Sequence, residues 1–139
     1  MYKNQRSADL KEFERFLPSN VYDVDKVEEI KKLDRETLVS LLPELLVYTQ
    51  DMNWPVAPGV LEILLTFPEE IVPHVQDVLS SEDDNWKWFL LHFLVIKLPV
   101  ASKVQFKDYL LKVAENPTKM ELAEELDEIA KEILATLSL

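Results

Sequence analysis

Apolar positions along the chain recur at spacings of three and four, and strict alternation is scarce. The pattern therefore predicts helices throughout. Val24, Val27 and Ile30 share one face of a helix over 24–32, and a shorter helix over 8–16 precedes it, capped by Ser7 and stopped before Pro18. Asp34 reads as an N-cap with Glu36 in the positive first turn, ahead of Leu38, Leu41, Leu42, Leu45 and Leu46. Pro43 interrupts that run, which predicts a kink or two short helices. The next helix begins between Asn53 and Pro58 and ends near Thr66. Thr66 and Glu69 fit a capping box for a helix reaching Leu79, bent at Pro73. Asp84 or Asn85 opens WKWFLLHFLVIKL, apolar on nearly all sides and so expected in the middle of a packed array until Pro99 ends it. A helix over 103–114 follows. Thr118 with Glu121 makes a second capping box, and the final helix carries Leu122, Leu126, Ile129, Ile133 and Leu137 on one stripe.

An internal repeat overlies these elements. Asp51-Met52-Asn53-Trp54 returns 32 positions later as Asp83-Asp84-Asn85-Trp86. Each copy precedes an apolar helix and then a hydrophobic-Pro break, at Phe67-Pro68 and Leu98-Pro99. Two helices per repeat of this length predict stacked antiparallel hairpins. The fold class expected is all-α, an α-solenoid-like stack of seven or eight helices. Residues 1–139 form one domain in this reading, with 1–22 as a variable N-terminal helical segment. The single glycine, Gly59, fits that economy of turns and would let a neighbouring helix approach closely.

Composition narrows the function classes. At 139 residues, 47% of them hydrophobic, the chain can bury a core. It has no cysteine, hence no disulfide or thiolate chemistry. No basic-then-apolar leader opens it and no apolar run is long enough to span a bilayer, so a cytoplasmic setting is expected. The net charge of −11 is unevenly placed: from Glu36 to Trp86 there are ten acids and no Lys or Arg. A solvated acidic surface explains such a stretch through solubility alone, whereas a functional reading makes it a face for a basic protein or peptide. Nucleic acid is disfavoured, since phosphate contacts need a basic stripe.

Catalytic signals are sparse. There is no GxSxG, HExxH, P-loop or GxGxxG, and the two histidines, His74 and His92, sit among apolar residues. Asp83-Asp84 lacks the spacing of a calcium loop, so neither metal nor cofactor is expected. The candidate binding residues are Asp51, Met52, Asn53, Trp54, Pro55, His74, Asp83, Asp84, Asn85, Trp86 and Trp88. Tryptophan anchors interfaces and a neighbouring carboxylate meets Arg or Lys. The competing structural account is that Asp and Asn cap helices while the tryptophans pack between them. Trp86 and Trp88 stand about 200° apart on a helix and cannot face one neighbour. Three functions remain: a protein-binding module, a small-molecule or enzymatic site centred on Asp51, Trp54, His74, Asp84 and Trp86, and a homo-oligomer joined at apolar hairpin edges.

Leu41-Leu42-Pro43-Glu44-Leu45-Leu46, Gln50 to Ala57, Glu70 to Val75 and Trp86-Lys87-Trp88 together resemble a bacterial family, domain of unknown function 5071. The run DMNWPVA is the most specific part of the likeness, which extends from about Val24 to the last helix. The resemblance implies a small HEAT-like helical-repeat domain, standing alone in the bacterial cytoplasm, and transfers no catalytic residues. Charge and small size alone suggest one concrete form of the binding module, an immunity- or antitoxin-like protein masking a basic toxin.

Overall fold

A computed structural model describes residues 14–137. These residues are helical throughout, with no strand among them. They divide into two compact units, the first ending at Leu64 and the second beginning at Leu65. The expected helix over 8–16 lies largely outside the described residues; its end, Glu14–Phe16, is a single 3-10 turn.

In the first unit, α1 (Val24–Ile30) turns Val27 and Ile30 inward and leaves Val24 exposed. Helix α2 (Arg35–Leu46) starts at Asp34, whose carboxylate accepts from Thr37 Oγ1 at 2.6 Å and from Thr37 N at 3.4 Å. Pro43 does not divide α2. The helix runs through it, with Leu41, Leu42, Leu45 and Leu46 all buried, and tightens afterwards into the 3-10 turn Val47–Thr49. Four buried leucines, each worth about 2 kcal/mol, outweigh one lost backbone hydrogen bond and the ring clash. Helix α3 (Ala57–Leu65) crosses α1 at Gly59. A Cβ placed on Gly59 would sit 2.7 Å from Val27 Cγ1, so the glycine is required for close approach, as expected. Beside this crossing, Lys31 Nζ reaches Glu62 at 2.6 Å and Glu28 at 3.0 Å.

In the second unit, α4 (Val72–Leu79) opens later than the Thr66 capping-box reading predicts. Residues 68–71 form turns, and Pro73 falls in the first helical turn. There its missing N–H costs nothing, so it starts the helix and does not bend it. Helix α5 (Asp84–Phe93) tightens into a 3-10 turn at Val95–Lys97. The expected helix over 103–114 is three pieces: α6 (Val100–Lys103), a 3-10 turn (Val104–Phe106) and α7 (Lys107–Glu115). The long final helix is likewise broken. Helix α8 (Lys119–Ala123) and α9 (Leu126–Ala135) are separated at Glu125, whose φ of 56° is left-handed. Leu122 is thereby turned out to solvent, while Leu126, Ile129, Ala130 and Ile133 bury against α7. Helix α5 touches both α4 and α9.

The capping box on α8 forms as the sequence predicts. Thr118 Oγ1 accepts from Glu121 N at 3.1 Å, and Glu121 Oε1 accepts from Thr118 N at 2.8 Å. That carboxylate also takes Lys112 Nζ at 2.8 Å, tying α8 to α7. Burial would raise the Glu121 pKa, but the hydrogen bonds from Lys112 and Thr118 prevail and hold it below the usual value.

Candidate functional site

The two DxNW copies do different local work. At the first, Asp51 Oδ1 accepts from Asn53 N at 2.8 Å, and the Asp51 carbonyl accepts from Trp54 N at 3.0 Å. This is an Asx turn inside a β-turn, three residues short of the helix. The turn is fastened by Val56 N, which donates to the Val21 carbonyl at 3.1 Å. At the second, Asp83 is the N-cap of α5, its Oδ1 accepting from Trp86 N at 3.0 Å. The prolines decide the difference. Pro55 and Pro58 follow Trp54 and restrict the residues before them, whereas nothing after Trp86 resists the helix.

Exposure sorts the candidates. Trp54, Trp86 and Trp88 are all half-buried, so none is a fully enclosed core residue and none a free surface anchor. Met52, His74 and Asp51 are half-buried as well, while Asn53, Pro55, Asp83 and Asn85 are exposed. Asp84 is committed within the chain. It lies 3.2 Å from Lys87, whose side chain is only 8% exposed, so the pair neutralises a nearly buried ammonium at the start of α5.

Helix α5, expected in the middle of a packed array, does contact α4 and α9 but keeps one face partly open. Lys87, Leu90 and Leu91 are buried, but Trp88, Phe89, His92 and Phe93 form a half-buried aromatic face. Trp88 stacks on His92 with ring centroids 4.0 Å apart and meets Phe89 edge-on at 5.3 Å. Desolvation lowers the His92 pKa, partly opposed by Glu132 of α9. The ring is thus held neutral near pH 7. An apolar count along the sequence could not separate this face from the core, because aromatic side chains serve both.

Sequence reasoning missed a cleft of 340 Å³ in the second unit. Val72 and Pro73 of α4 form one wall, Ala101 and Ser102 of α6 with Gln105 the other, and Glu69 stands on the rim. Gln76 Nε2 donates to the Gln105 carbonyl at 3.2 Å and braces the two walls. Neither the irregular turn before α4 nor the short α6 has a sequence signature that would have placed these residues together.

A family model described as domain of unknown function (DUF5071) matches residues 16–134. The chain belongs to this family. The match takes in both DxNW copies, the α4–α6 cleft and the aromatic face of α5. No curated protein matches the DUF5071 chain. Among its described residues, no group of three or more His, Asp or Glu side chains is placed to hold a metal ion, and no helix is long and apolar enough to cross a membrane.

Proposed function

We propose that this DUF5071 chain is a binding module, not an enzyme, and that its partner is a basic protein or peptide. The observation that carries the reading is the stretch from Glu36 to Trp86, with ten acids and no Lys or Arg. Of these acids, Glu36, Glu62, Glu69, Asp77, Glu82 and Asp83 are exposed. Asp51, Glu62, Asp83 and Asp84 already hold donors of the chain itself. The contact acids are therefore the remaining exposed ones, Glu36, Glu69, Asp77 and Glu82, with Glu69 at the α4–α6 cleft best placed. An Arg or Lys side chain entering there would lay its aliphatic stem along Val72, Pro73 and Ala101 and bring its cation to Glu69.

The finer parts of the proposal are a HEAT-like hairpin stack, a bacterial cytoplasmic setting and an immunity- or antitoxin-like role. What supports them is the DxNW recurrence, the small acidic chain and the lack of a catalytic motif. Affinity capture from a lysate, with the retained proteins identified by mass spectrometry, tests the reading. It predicts basic partners that elute as salt rises; retention of mainly acidic proteins would refute it.

A further inference from the structure

The first unit also holds a cleft of opposite character. Its volume is 480 Å³, within the range of small-molecule sites. Phe16, Ile30 and Leu33 form an apolar floor, and Arg15, Lys26 and Lys32 surround it with Glu29. Three cations and one carboxylate thus converge on one opening of a chain whose net charge is −11.

The cations differ from their neighbour Lys31. Lys31 is drawn to the α3 side of α1 and held between Glu28 and Glu62. Lys26 has Glu29 only at 4.0 Å, the outer limit of an ion pair. The Arg15 guanidinium lies over the Phe16 ring, 4.8 Å from its centroid. Stacking of that kind occupies the face of the guanidinium and leaves its in-plane N–H groups able to grip an oxyanion in a fork. The floor adds a second requirement. An inorganic anion would satisfy the rim and leave Phe16 and Leu33, both half-buried, in contact with water. A neutral apolar molecule would cover the floor and leave three cations unused.

We infer that this cleft binds a small amphipathic anion, a carboxylate on an apolar body, with the headgroup on Arg15, Lys26 and Lys32 and the body on Phe16, Ile30 and Leu33. Its occupancy does not depend on the proposed acidic contacts.

Titrating the full chain with sodium decanoate below its micelle concentration, followed by amide chemical shifts, tests this. Decanoate should bind saturably and move the signals of Arg15, Phe16, Ile30 and Leu33. Decanol, with the same body and no charge, and inorganic phosphate, with charge and no body, should each bind at least about tenfold more weakly. Lys26→Glu with Lys32→Glu should lower decanoate affinity by about tenfold or more, one such factor being 1.4 kcal/mol. Lys32→Glu alone, at an exposed position, gives a folded control and should weaken binding by a smaller factor. Shifts scattered over other residues, equal binding of decanol, or unchanged affinity in both variants would overturn the assignment.

Discussion

Tyr109 carries a phenol oxygen that is buried without a hydrogen-bond partner among the described residues. Burial, with Glu121 and Asp84 nearby, pushes its pKa well above the usual tyrosine range. Removing an unsatisfied hydroxyl removes a desolvation cost, so Tyr109→Phe should leave stability unchanged or raise it by up to about 1 kcal/mol in denaturant titration. A loss larger than that would reveal a partner for the phenol. The Asp84–Lys87 pair makes an asymmetric prediction in the same assay. Lys87→Met should cost less than about 1 kcal/mol, whereas Asp84→Asn, leaving a nearly buried ammonium uncompensated, should cost about 2 kcal/mol or more. Little of this was legible in advance. Asp84 reads in the sequence as a cap or a binding carboxylate, because a lysine three positions on is visible but its burial is not.

The elements were legible where local chemistry sets them and obscure where packing does. Asp34, Asp83 and the Thr118–Glu121 box start helices as their side chains dictate. Pro43 does not divide α2, because the leucines around it bury and outweigh the proline. The final helix is broken by the left-handed Glu125, although its apolar stripe is continuous in sequence. The Glu121 carboxylate joins α7 to α8, so Glu121→Ala should destabilise by about 1–2 kcal/mol. Its lowered folded pKa fixes the sign of the pH effect. The contribution is full above the unfolded glutamate pKa of about 4.3 and disappears as pH falls through the lower folded value. Denaturation midpoints measured down to about pH 3 should fall more steeply for the parent chain than for Glu121→Gln. At the α1–α3 crossing, Gly59→Ala should lose about 1–2 kcal/mol despite the better helix propensity of alanine. Adding Val27→Ala should recover part of the clash as a positive coupling between the two sites.

For the whole molecule, the run of acids is legible in the sequence, and which of them are exposed is not. The chain displays exposed acids on a helical frame and spends its conspicuous DxNW aspartates on its own backbone. The tryptophans beside them remain half-buried, so the motif that first suggests a site builds a turn in one copy and a helix start in the other. Salt-dependent capture is the most direct test of the binding account, performed in parallel with the parent chain and with Glu69, Asp77 and Glu82 changed to Gln. At about 0.1 M salt, where screening acts over about 10 Å, the parent should retain basic partners that the triple variant releases; at about 1 M salt both should release them. Retention by the variant equal to that of the parent at low salt, or partners that persist at high salt, would contradict the account.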